Sequence, residues 1–425
     1  MFRHSLFRAL RNLRGNARGC VYTEPLWGIP FNLYSPYVSV YMLSLGMTDS
    51  LIGTITSIGL IFEIFWTLIS GPITDKLGRR RTTLIFDTLS WSIPCLIWAI
   101  AQDWRYFVIA AIVNSIWRVT MNSWQCLLVE DTDPALLVDI WTWIYISGLL
   151  AAFVSPITGL LIDKFSLIPT MRGLYLLSFV MMTIKFLATN AMTTETQQGR
   201  VRMQETKDQP LFEVLRGSPQ VLQQILRTPA TMFTAGLMII VGIAKLVRGT
   251  FWSILVTEKL QIPAQHLALY PFARSVAMLL FFFVVTPRLR DMDVRKPMIV
   301  GFLGLLASHL ILISVPPQSY GLLLLATVLE AWSLPIATTL IDKLVAVTVD
   351  AQERARILGI LYAIVIVCTA PFGWIAGRLS EINRSLPFVL NIALFGLGAA
   401  LVFFAGKHVS KQPAPVEMAE QAVAS

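Results

Sequence analysis

Twelve apolar runs, each about as long as a helix needs to cross a bilayer, follow one another along this 425-residue chain. That series constrains the fold more than any other feature, because backbone inside a bilayer must satisfy its own hydrogen bonds and a helix does so alone. The runs lie near Cys20 to Leu45, Ser50 to Ser70, Thr82 to Gln102, Tyr106 to Glu130, Leu136 to Ile162 and Thr170 to Ala191, then Pro229 to Val256, His266 to Val285, Pro297 to Val315, Tyr320 to Val347, Ile357 to Leu379 and Pro387 to Gly406. With 55% hydrophobic and 14% charged residues, the apolar excess goes beyond what a soluble core needs and implies a lipid-facing surface. The expected class is an all-α integral membrane protein with twelve transmembrane helices, several bent at Pro25, Pro30, Pro36, Pro156 and Pro371.

The polar interval Met192 to Thr228 divides the runs six and six. Within it Ser218 and Pro219 form a helix-starting pair ahead of an apolar stripe at Val221, Leu222, Ile225 and Leu226, which predicts a short interfacial helix. The expected organisation is an N-terminal basic amphipathic helix and six-helix bundle over 1–191, a cytoplasmic linker over 192–228, a second six-helix bundle over 229–409 and a disordered tail over 410–425. An offset of 215 residues pairs Gly71-Pro72 with Thr286-Pro287, Arg80-Arg81 with Arg295-Lys296 and Pro156 with Pro371, as two halves of common design would. Lysine and arginine collect at the N-terminus, at Lys76 to Arg81, in the stretch Arg200 to Arg227 and at later loops of the same side, so that side and both termini are expected to be cytoplasmic, in a cell membrane. The net charge of +9 thus reports topology, and no nucleic-acid partner is expected. The four cysteines have no metal-ligand spacing and suggest no disulfide framework.

Between the second and third runs lies GPITDKLGRRR, Gly71 to Arg81. It resembles the signature loop of the major facilitator superfamily, with the defining positions filled by Gly71, Asp75, Lys76, Gly78, Arg79 and Arg80. The resemblance implies two six-helix bundles, alternating access and a gate. In the gate Asp75 would meet the start of the eleventh helix, around Glu353 to Gly359, and Arg79 or Arg80 would meet Glu130 or Asp131. The second copy is degenerate, with Arg290 opposite Asp75 and Asp293 opposite Gly78, which places any gating role mainly in the first half.

Ionisable side chains at membrane depth are costly and mark functional candidates: Glu24, Glu63, Asp87, Arg118, Lys185, Lys245, Arg248, Arg274 and Glu330. Their signs nearly balance, so structural ion pairing is the competing reading for each. Arg118 lies deep in the fourth run among Asn114, Trp117, Asn122, Trp124 and Gln125, and resembles the fourth-helix arginine of facilitator proton antiporters, with Asn122 where that motif has glycine. Glu330, followed by Trp332 and Pro335, and Glu24, beside Pro25, are candidate proton carriers. Lys245 and Arg248 share one helical face and, with Arg118 and Arg274, would either attract an organic anion or neutralise carboxylates across the bundle. Pro156 and Gly159 match part of the fifth-helix antiporter motif, with a plain helix bend as the alternative. Trp27, Phe31, Tyr34, Tyr37 and Tyr41 recur at helical spacing, a pattern of packing more often than of binding.

No GxxxxGK[ST], HExxH or GxSxG motif is present, which argues against direct use of ATP and against an enzyme; no cofactor is expected. The expected function is secondary transport of a small organic solute, as proton-coupled efflux by a monomer in the lipid bilayer. The alternatives are proton-symport uptake of a metabolite and a nontransporting receptor or lipid-handling protein on the same scaffold.

Overall fold

A computed structural model describes residues 10–11, 13–208, 210, 218–285, 295–348 and 354–409. The expected amphipathic helix at 1–18 falls largely outside these residues. The tail at 410–425, Arg290 and Asp293 of the second loop, and Glu353 fall outside them entirely.

Every regular element among the described residues is helical. Nine helical segments there are long and apolar enough to cross a membrane, at the places of the second and the fifth to twelfth expected spans. The other three spans are divided. The first comprises α1 (Gly15–Thr23), α2 (Pro25–Tyr34) and, after a tight turn at Ser35–Tyr37, α3 (Val38–Ser44). Pro25 and Pro36 lack the amide that would carry an α-helix through those points. After α4 (Asp49–Leu77), the third span runs as α5 (Arg79–Asp87), a wide π turn at Thr88–Ser92 and α6 (Ile93–Ala99), with Pro94 at the restart. The fourth is α7 (Trp104–Asn114) and α8 (Trp117–Val129).

The chain divides into two compact units, 1–216 with 263–275, and 217–262 with 276–425. In the first unit α9 (Leu137–Ala151) and α10 (Pro156–Phe165) form the fifth span, broken at Pro156, and α11 (Leu167–Met192) forms the sixth. Helix α12 (Gln197–Glu205) occupies the start of the interval expected as linker. The tyrosines of the first span pack inward: Tyr37 and Tyr41 are fully buried, and Tyr34 and Tyr41 meet Tyr175 of α11 at 5.0 and 5.8 Å between ring centres. Residues 264–268 rest on α10, where the Ser155 hydroxyl donates to the Ala268 carbonyl at 3.1 Å. Gly159 lets that backbone approach, for a Cβ there would collide with the Gln265 carbonyl.

The second unit holds α13 (Ser218–Arg227), α14 (Pro229–Ile254), the distal part of α15 (Leu269–Val284), α16 (Arg295–Ser314), α17 (Tyr320–Thr348), α18 (Arg354–Thr369), α19 (Pro371–Ile382) and α20 (Leu386–Val409). Leu237, Ile240, Phe302, Leu305, Leu340 and Phe395 belong to its apolar core. Gly398 admits the Phe302 ring, the close approach that small residues permit between membrane helices.

Gly159→Val should lower thermal stability in detergent by about 1–3 kcal/mol, since the clash is with backbone and not a movable side-chain end. Gly148→Ala, where nothing lies within 4 Å of an added Cβ, should leave the melting temperature unchanged.

Candidate functional site

The loop between α4 and α5 turns on Gly78, whose φ of 84° suits glycine. The turn presents the first amides of α5 outward, and the Glu195 carboxylate takes both, from Arg79 at 2.8 Å and Arg80 at 3.1 Å. An anion at a helix start is stabilised by the free amides and by the helix dipole. The Arg79 side chain, 5% exposed, forks onto Glu130 at 2.9 and 3.0 Å and reaches Asp75 at 3.0 Å. Burial opposes its charge, but the hydrogen bonds and charge of Glu130, with the charge of Asp75, offset this.

Asp75 also accepts from Arg202 of α12 at 3.0 Å, and the Thr196 hydroxyl, which caps α12 by accepting from the Gly199 amide at 2.8 Å, donates to Glu130. The Arg80 side chain donates to the Asn190 carbonyl at 2.9 Å, and Asp131 accepts from the Gln197 amide at 3.2 Å. Lys76 is half-buried, and Gly71 has open space where a Cβ would sit. The signature-loop residues are therefore tied to the end of the sixth span and to α12. The sequence carries a signal for α12, in Thr196 at the capping position, but Glu195 and Arg202 have none that names their partners.

A second cluster lies within the helices of the same unit. Lys185 of α11 sits 3.7 Å from Glu24 and 3.9 Å from Asp87. Asp87 and Lys185 are buried and Glu24 is half-buried. One oxygen of each carboxylate, Glu24 Oε2 and Asp87 Oδ2, has no hydrogen-bond partner. The three border a cavity of about 170 Å³ lined by Trp27, Trp91, Trp117, Trp124 and Thr120. Trp27 stacks on Phe31 at 4.7 Å and meets Trp91 edge-on at 5.1 Å. The aromatic stripe of the first span thus splits, Trp27 at the cavity and the tyrosines in the core. The π turn at Thr88–Ser92 begins immediately after Asp87 and carries Trp91 to the cavity.

Arg118 and Glu63 pair at 2.8 Å, and Trp117 donates to the same carboxylate at 2.9 Å while its ring lies 4.2 Å beneath the guanidinium. Asn114 donates to the Ser90 carbonyl at 2.7 Å and Asn122 to the Thr74 hydroxyl at 3.2 Å. Arg274, half-buried, has Tyr145 as its polar neighbour. In the second unit Arg248 forms an ion pair with Glu330 and lies over the Trp252 ring, while Lys245 is exposed with Asp342 as its charged neighbour. The Trp332 indole donates to the Ala277 carbonyl at 3.0 Å, with the ring largely exposed. His309, absent from the candidates named from sequence, is buried with Nδ1 3.1 Å from the Leu305 carbonyl and Nε2 3.3 Å from the Asn391 amide. Its signal is present in the sequence, as an ionisable ring in the ninth apolar run.

A helical scaffold with nine membrane-long segments among its described residues and charges paired at depth defines a multi-pass membrane transporter fold. Residues 31–378 match the family model described as the MFS_1 like family, and the chain belongs to that family, within the major facilitator superfamily. Among solved structures it is similar to a mutant of the nucleoside transporter NupG (TM-score 0.72, 15% identity, 93% of this chain and 100% of that chain). It is similar also to a POT family transporter in complex with a thioalcohol-conjugated peptide (0.69, 13%, 95% and 100%) and to the human organic anion transporter MFSD10 (0.63, 14%, 91% and 99%). No curated protein matches the sequence.

Glu130→Gln should cost about 1–3 kcal/mol in thermal unfolding, because Arg79 loses its bidentate acceptor while Asp75 still neutralises its charge. Glu205→Gln, which removes only an exposed partner of Arg202, should change stability by less than about 1 kcal/mol.

Proposed function

We propose that this transporter exports a small organic solute in exchange for protons, by alternating access of its two halves, with both termini cytoplasmic. The observation that carries the reading is the pair of carboxylates, Glu24 and Asp87, sharing the single ammonium of Lys185 beside an indole-lined cavity. Two negative charges against one positive leave a residual charge in a low-dielectric site, which is costly unless a mobile ion relieves it. A proton is the smallest ion that does so, and its arrival and departure link the site to a proton gradient. Two of the other ionisable candidates at depth support this choice by contrast: Arg118 is matched by Glu63 and Arg248 by Glu330.

The loop cluster serves the cycle differently. Asp75, Arg79, Glu130 and Arg202 hold the α4–α5 loop to α12, at the start of the linker that joins the halves. Release and remaking of such charge-assisted contacts is the gating role in this reading.

Purified protein in proteoliposomes, with a pH-sensitive dye trapped inside, gives the test: addition of a transported solute should move protons against the direction of solute flow. Glu24→Gln and Asp87→Asn should each reduce that proton movement at least tenfold, and normal coupling in both variants would overturn the assignment. Proton and solute moving in the same direction would replace export by symport. Asp75→Asn should impair transport while membrane insertion stays normal.

A further inference from the structure

Resting on the reading of this pocket as the transport site, we infer that its solute is an organic monocation carrying a single aromatic ring. Size comes first. The cavity of about 170 Å³ is close to the roughly 150 Å³ that admits one benzene ring, so a single ring matches it. Lining comes next. Indoles of Trp27, Trp91, Trp117 and Trp124 line it, and such aromatic walls favour a flat ring and a cation.

Charge decides between solute classes. Glu24, Asp87 and Lys185 sum to one excess negative charge, and a monocation brings the sum to zero. An anion would raise the imbalance, and a neutral solute would leave it. Arg118 does not alter this sum, because Glu63 holds it at 2.8 Å across Trp117. Lys185 is itself 3.7 and 3.9 Å from the two carboxylates, beyond hydrogen-bond reach, and lies 5.6 Å from the Trp124 ring centre. Glu24 Oε2 and Asp87 Oδ2 both face Lys185 and have no hydrogen-bond partner, so its ammonium is locked to neither carboxylate. The Trp124 Nε1 donor is likewise unpartnered. One proton and one monocation neutralise the same excess, so they exclude each other and exchange one for one. The groups facing the carboxylates are Lys185 from α11 and the Cys20 thiol from α1, with the Glu63–Arg118 pair beyond Trp117.

Three single-ring probes separate the classes: benzylammonium, benzyl alcohol and phenylacetate, with binding to the full-length protein in detergent read from tryptophan fluorescence. The monocation should bind at least tenfold tighter than the other two, weaken as pH falls, and lose at least tenfold in Glu24→Gln and Asp87→Asn. Lys185→Gln should bind it severalfold tighter at pH 8, a gain that misfolding cannot produce. Equal binding of the neutral or anionic probe, no binding of any probe, or a cation affinity indifferent to all three substitutions would overturn the inference. Selective cation binding without flux in proteoliposomes would uphold the site and overturn the transport reading.

Discussion

The cost of placing charge inside a membrane governs this molecule more than any other term. An ionisable side chain taken into a low-dielectric interior is stabilised by an opposite charge or a mobile ion, since desolvation of a lone charge is costly. The Arg79–Glu130 fork, the Arg118–Glu63 pair with its indole donor, and the Arg248–Glu330 pair each meet that demand within one unit. Among the described residues, Glu24, Asp87 and Lys185 alone combine an odd charge count with carboxylate oxygens lacking hydrogen-bond partners and a cavity. The site is conspicuous because its neighbours are balanced.

Much of this is legible in the sequence, and the boundary of legibility has a physical cause. Spanning length is a local property, so the apolar runs find their helices, and the loop Gly71 to Arg81 declares its superfamily because its residues are consecutive. Ionisable residues at depth are legible one at a time for the same reason. Their pairing is not: Glu63 and Arg118 are 55 residues apart, and Arg79 and Glu195 are 116 apart. No periodicity links such positions. Composition leaves the basic residues at depth with two readings, attraction of an anion or neutralisation of carboxylates, and only the folded chain brings Arg118 within 2.8 Å of Glu63.

Breaks within spans are visible only in part. Pro25 and Pro36 announce the divided first span, and Pro94, which cannot bond back to the Ser90 carbonyl, announces a break near Thr88–Ser92 without naming it as a π turn. A π turn inserts one residue, and the packing downstream selects it. The four tryptophans around the cavity come from three separate spans, which is why a stripe read along one helix divides into a core part and a lining part.

Helix α5 is nine residues long, with Arg79 at its start and Asp87 at its last position. At about 1.5 Å of rise per residue it is a rod of roughly 12 Å between those two side chains, stiff along its axis and terminated on one side by a glycine and on the other by the widened turn. One short helix therefore carries both a residue of the loop ion cluster and a carboxylate that borders the cavity. The loop cluster and the buried acid thus share one backbone element, about two turns of helix apart.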